Sequence, residues 1–254
     1  MARNNRSGDE LVKERPAWII PLLVLSGVLI FSGIFLYYYF GPTPGEILGR
    51  DPRASAADQN IEIIVGNKRF MVPEHYTRYP NQRAGGRQDV LDMHALLPGL
   101  TPWSPEQQEA FNDNSARSNV VYFSLRQTAT PLNSVRRFKT IYSKYLSAKE
   151  PEAGPDGLRL FAFDGDSGYA GQDLLVGKDG EERMTLILCD RRGPLVESPN
   201  CTRSLLLGPS LELGYRYKRS HLEDWRAIDE AVLSLVLGFE SIEAMDDLQG
   251  PILD

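Results

Sequence analysis

The sequence predicts an α+β protein: a single N-terminal transmembrane helix followed by a mostly antiparallel β-sheet domain with two main helices. Three observations carry this. A long run near the N-terminus holds no charge, short β-patterned runs then follow one another through turns, and two stretches repeat apolar residues every three to four positions. Strands that neighbour one another in sequence across turns favour antiparallel pairing.

Residues 17–40 read AWIIPLLVLSGVLIFSGIFLYYYF, 24 residues without a charge. At about 1.5 Å of rise per residue, such a helix crosses a ~30 Å hydrocarbon layer. Trp18 at one end and Tyr37, Tyr38 and Tyr39 at the other suit the two membrane interfaces. Ala54-Ser55-Ala56 has the residue types of a signal-peptidase site but lies 14 residues beyond Phe40, so the span reads as an uncleaved anchor. Arg3, Arg6, Lys13 and Arg15 precede it, against Arg50 and Arg53 in the 20 residues after it. That bias predicts a plasma or inner membrane protein with a cytoplasmic N-terminus and a periplasmic or extracellular C-terminal domain. Ser26 and Gly33, seven apart, offer a small-residue stripe through which two spans could pair as a homodimer.

The predicted organisation is a cytoplasmic tail over 1–16, the span over 17–40, a flexible linker over 41–60, an exported domain over 61–240 and an acidic tail over 241–254. Gly-, Pro- and Ala-rich composition without periodicity defines the linker. Ile61, Ile63 and Val65, then Gly66-Asn67, then Phe70 and Val72, read as a hairpin. Val90–Leu97 is a predicted strand, 101–118 a loop with one helical turn near Pro105, and Asn119–Gln127 a strand. Thr130-Pro131 reads as cap and first residue of a helix whose buried side is Val135, Phe138, Ile141, Tyr142, Tyr145 and Leu146. A strand–helix–strand order over 119–163 permits one parallel crossover. Five short strands follow (158–163, 172–176, 183–189, 202–207 and 211–217), with a hairpin turn at Gly177–Gly180. Ser220 with Glu223 has the pattern of a capping box opening the last helix, whose apolar face is Trp225, Ile228, Val232, Leu235, Val236 and Phe239, widened by Leu233 and Leu237.

Cys189 and Cys201 each border a strand and are separated by a polar, Pro-containing loop. Two strands joined this way predict a structural disulfide, which in an oxidising compartment contributes about 3 kcal/mol. Their spacing is unlike a redox or metal pair.

No catalytic, cofactor-binding or metal-ligating set is complete. Gly165-Asp166-Ser167-Gly168 resembles the segment around a chymotrypsin-like serine, but Tyr169 stands where a further Gly is usual and no histidine has a matching setting. Asp164, Asp166 and Asp173 do not fit an EF-hand, which needs Gly and Glu where Tyr169 and Leu175 stand. Asp92 and His94 share one strand face, a pairing that can orient an imidazole; His75 and His221 read as solvated or structural. Arg136, Arg137 and Lys144 on one helix face, and Arg78, Arg83 and Arg87 in a patternless loop, are candidate anion contacts.

The 254 residues carry 28 Lys+Arg against 34 Asp+Glu, for a net charge of −6, and no basic cluster, which argues against nucleic-acid binding. The acidity is local, since 221–254 holds nine acids and one base. The functional expectation is an anchored envelope protein whose exported domain is a protein-binding, scaffolding or assembly module without a cofactor. The alternative is a hydrolase-type or metal-dependent enzyme using Asp92, His94 and the Asp164–Asp173 region.

Overall fold

The computed structural model describes residues 16–148 and 150–241 and divides the chain into two compact units, one ending at Leu48 and one beginning at Gly49. The flanking Arg3, Arg6, Lys13 and Arg15, and the acidic tail from Ile242, lie outside the described residues.

In the first unit, α1 (Ile19–Phe40) buries none of its side chains. It is the one described helix long and apolar enough to cross a membrane by length and composition. Pro21 sits in its first turn, where the missing N–H costs no intrahelical bond. A short α2 (Pro44–Ile47) follows inside the expected linker. Its start is a complete capping box: Glu46 N donates to Thr43 Oγ1 at 3.1 Å, and Thr43 N donates to Glu46 Oε2 at 2.9 Å.

The second unit opens with residues 49–59, which form no regular element yet are tied to the rest of the unit. Arg53 N donates to Arg78 O at 2.8 Å, Ser55 Oγ to Glu74 Oε1 at 2.6 Å, and Gln59 Nε2 to Glu74 Oε2 at 2.7 Å. A small three-stranded sheet follows. β1 (Asn60–Val65) and β2 (Lys68–Pro73) form the expected hairpin, with Gly66 at φ +62° in the turn. β3 (Gly86–Gln88), too short to show a pattern, pairs parallel to β1.

The large sheet has eight strands: β4 (Val90–Leu96), β5 (Val120–Gln127), β6 (Glu152–Ala153), β7 (Arg159–Ala162), β8 (Gln172–Lys178), β9 (Met184–Asp190), β10 (Asn200–Leu206) and β11 (Leu211–Lys218). Their order is β4-β5-β11-β10-β9-β8-β7-β6, and every pairing is antiparallel. The permitted parallel crossover does not form, because β5 pairs with β11 and β4 while β7 pairs with β8 and β6.

One face of this sheet is closed. The last helix, here α5 (Trp225–Phe239), lays Trp225, Ile228, Val232, Val236 and Phe239 over Met93, Phe123, Leu125, Leu213 and Ile187, and the β1–β2 hairpin adds Ile63, Val65, Phe70 and Val72 to the same core. Leu237, expected to widen this face, is exposed. The other face is covered only at its two ends. At one, α4 (Ser134–Thr140) and the turn after it set Phe138, Tyr142, Leu146 and Tyr169 over Phe161, Phe163, Leu174, Val176 and Leu186. At the other, Phe111 of α3 (Gln108–Asn112), together with Trp103 from the loop before it, packs on Leu96 and Val120.

Two helix starts differ from expectation. α4 is capped by Asn133, whose Oδ1 accepts from Arg136 N at 2.9 Å, and not by Thr130. It ends at Thr140, where β-branched Thr140 and Ile141 and the hydroxyls of Thr140 and Ser143 compete with the helix by bonding back to Arg136 O and Lys139 O. The Ser220–Glu223 capping box does not form. A 3-10 turn over Arg219–Asp224 buries Leu222 and delays α5 to Trp225, so Trp225 can enter the core.

Candidate functional site

Between its two end covers, the outer face of the sheet is left open over β4, β5, β11 and β10. Side chains alternate along a strand, so the register dictates what stands there. Asp92 lies opposite Ser124, Ser124 opposite Gly214, and Gly214 opposite Ser204, giving a row of small side chains across four strands. Two residues to one side runs a bulkier row, Arg126 opposite Glu212 opposite Leu206; two residues to the other side, His94, Tyr122, Arg216 and Thr202 stand opposite one another in turn. Small side chains between two tall rows make a trough of ≈ 440 Å³, lined among others by Arg78, Asp92, Tyr122, Ser124, Arg126, Ser204, Glu212, Gly214 and Arg216.

Its charge is uneven. Glu212 is neutralised by Arg137 at 2.9 Å, and Asp92 accepts from Gln82 Nε2 at 3.2 Å. Arg78, Arg126 and Arg216 make no carboxylate ion pair among the described residues. Arg78 and Arg216 instead rest on the Tyr122 ring, at 4.4 Å and 4.8 Å from its centroid. The trough is electropositive on a chain that is acidic overall.

At the Tyr122 side a smaller cavity of ≈ 150 Å³ shares Arg78 and Tyr122 with the trough and is further lined by Arg53, His94, Trp103, Phe111 and Asn112. His94 is buried against Phe111, with ring centroids 4.7 Å apart, and its Nε2 has no hydrogen-bond partner among the described residues. Burial, with the guanidiniums of Arg78 and Arg83 nearby, pushes its imidazole down to about 4. It is therefore neutral at pH 7.

The residues singled out from sequence do not assemble into one site. Asp92 and His94 are on β4, at one edge of the sheet, and no hydrogen bond joins them; Asp173 is on β8, five strands away. At ~4.8 Å per strand that is about 24 Å. Asp173 is already held by Arg191 at 2.6 Å and Arg219 at 2.7 Å. The Ser167 hydroxyl donates to Asp164 O at 2.8 Å and accepts from Tyr169 N, which makes it a turn residue. His221 Nε2 bonds Ser118 O at 3.0 Å, and His75 meets the Tyr76 ring edge to face. Arg83 and Arg87 leave the candidate anion cluster: Arg83 bonds Thr77 and the Arg53 carbonyl, and Arg87 bonds Gly66 O at 2.8 Å. Of that trio only Arg78 reaches the trough, and of the α4 cations only Arg137 touches its wall, already paired.

Sequence reasoning missed Tyr122, Ser124, Arg126, Ser204, Gly214 and Arg216. Each is ordinary in its own strand, and only the pairing of β5, β11 and β10 brings them into rows. It also missed a buried polar group on the closed face. There Arg203 contacts Asp229 and lies 3.2 Å from Asp179, while Tyr215 donates to Asp229. Burial pushes the Tyr215 phenol up. This group pins α5 to the sheet through Asp229. Cys189 and Cys201 stand directly opposite each other on β9 and β10, buried, with their sulfurs at disulfide distance, 1.97 Å.

No family model matches this sequence, and no curated protein matches it. Among solved structures, an immunity protein of the Stenotrophomonas maltophilia type IV secretion system aligns with a TM-score of 0.54 at 16% identity, over 72% of this chain and 94% of that one. The iron-regulated outer membrane lipoprotein FrpD of Neisseria meningitidis gives a TM-score of 0.46 at 12% identity, over 74% of this chain and 97% of that one. The first of these is a likeness of fold.

Proposed function

We propose that this chain is a single-pass, membrane-anchored envelope protein whose folded unit binds a protein partner through the trough on the outer face of its large sheet. The observation that carries this reading is the middle of that face, uncovered by the described residues, where a floor of small residues lies between arginines that have no carboxylate partner among them. A drug-sized ligand site is concave and mostly apolar, whereas this one mixes polar and apolar surface and carries several charged side chains, as suits a polypeptide surface. The fold shared with an immunity protein supports a binding role over catalysis. The apolar α1, the Lys/Arg excess before it and the paired cysteines support an N-in anchor with the folded unit in an oxidising compartment. In this organisation residues 1–16 are cytoplasmic, 17–40 span, and 41–48 lead into the folded unit.

A photocrosslinking residue at Thr202, on the trough rim, tests the interface in cells. The expected result is one discrete protein adduct, lost when Gly214→Val fills the floor and absent from the same residue placed at Leu195, which is exposed elsewhere. An adduct that survives Gly214→Val, or none at Thr202, overturns the reading. For the topology, protease added outside cells stripped of any outer wall should digest the folded unit; full protection overturns the N-in orientation.

A further inference from the structure

The trough does more than offer a surface; its dimensions and unpaired groups select a partner chemistry. Its floor crosses four strands, about 15 Å, and its walls stand about 13 Å apart between backbones, since each is two residues from the floor. An α-helix, 10–12 Å across with side chains, does not enter between walls carrying Arg126, Tyr122 and Arg216. An extended chain does, and the floor takes about four of its residues. Its alternate side chains would face opposite walls, toward Arg126 on one side and toward Arg216 and Arg78 on the other.

The cavity beside Tyr122 adds a second, independent observation. His94 is nine-tenths buried, lines that cavity, and keeps Nε2 unpartnered. A buried polar atom without a partner costs stability, and nothing in the fold repays it. As the Nε2–H tautomer it is a donor, and the other polar side chains lining the cavity, Arg53, Arg78, Trp103, Tyr122 and Asn112, are cationic or able to donate. A set of donors with no acceptor carboxylate fits an oxyanion. We infer that the partner presents an extended acidic segment across the trough, with one of its carboxylates seated in the His94 cavity against Arg78. This rests on the trough being the interface proposed above.

Fluorescence anisotropy on the full-length protein in uncharged detergent tests it, using a labelled octapeptide of repeated Glu-Glu-Ser-Ser, which puts carboxylates on both edges of an extended chain, and the same peptide with Gln for Glu. The Glu peptide should bind at least tenfold tighter than the Gln peptide. Arg126→Gln and Arg216→Gln should each weaken it about fivefold, as loss of a charge-assisted bond does, while Arg136→Gln on α4 leaves it unchanged. His94→Leu should weaken it several-fold and leave the thermal midpoint equal or higher, which a merely structural histidine would not do. Equal binding of the two peptides, no binding of the Glu peptide, or indifference to Arg126, Arg216 and His94 overturns the inference. If that happens while Gly214→Val still abolishes the Thr202 adduct, the acidic segment falls and the trough interface stands. If Gly214→Val leaves the adduct in place, the interface itself falls.

Discussion

The two faces of the eight-stranded sheet are made from alternate residues of the same strands, and they have opposite fates. On β11, Leu213 and Tyr215 point into the closed face under α5, while Glu212, Gly214 and Arg216 point to the open one. On β5, Phe123 and Leu125 are buried while Tyr122, Ser124 and Arg126 line the trough. An antiparallel sheet needs only one apolar face to fold, so the other is free to carry function. Even the charges follow this division. On the closed face Arg203 is neutralised by Asp179 and Asp229, because a lone buried charge would be intolerable there; on the open face three arginines stand without carboxylate partners among the described residues, because water can reach them.

That contrast predicts large stability effects on the closed face and small ones on the open face. Trp225→Ala, at a side chain 1% exposed, should cost about 3–5 kcal/mol by denaturant titration. Replacing both Cys189 and Cys201 with Ala should cost about 3 kcal/mol, and the wild-type chain, denatured without reductant, should show no free thiol.

The His94 cavity sits at the margin between the regimes and should show it through pH. Its imidazole lies at about 4 in the folded chain against 6.5 ordinarily. The unfolded chain therefore takes up the proton first, and the stability present above pH 6.5 drains away as pH falls toward 4. Between pH 7 and pH 5 the loss should be about 2 kcal/mol, and His94→Leu should flatten it. Smallest of all, and opposite in sign, is Gly214→Val. A Cβ there meets the Ser204 and Ser124 hydroxyls at 3.7 and 3.8 Å and Arg203 O at 4.0 Å, all ordinary contacts, so a strand-favouring residue on the trough floor should be neutral or raise stability by up to about 1 kcal/mol.

The same division explains what could be read from sequence. The closed face was legible, because apolar alternation at Ile61–Val65 and Asn119–Gln127 and the three-to-four spacing from Trp225 to Phe239 encode burial directly. The long apolar helix α1 was legible for the same reason. The trough was not, since Ser124, Gly214 and Ser204 are non-adjacent in sequence and join only through strand order. Asp92 and His94 were rightly noticed as neighbours on one face, yet their supposed partner Asp173 proved to be five strands away, a separation no local pattern encodes. Local cues also failed where a stronger one lay nearby: Asn133 caps α4 in place of Thr130, and Trp225 pulls the start of α5 past Ser220. The Thr43–Glu46 capping box was present in the sequence, inside a stretch whose composition suggested only a spacer.

The central claim is that the open face is the working face. The most direct measurement is partner capture from Thr202 in cells expressing the wild-type chain and Gly214→Val at equal levels. The account predicts a discrete adduct with the wild type and its loss with Gly214→Val, although that variant is at least as stable. An adduct of equal yield in both would contradict it.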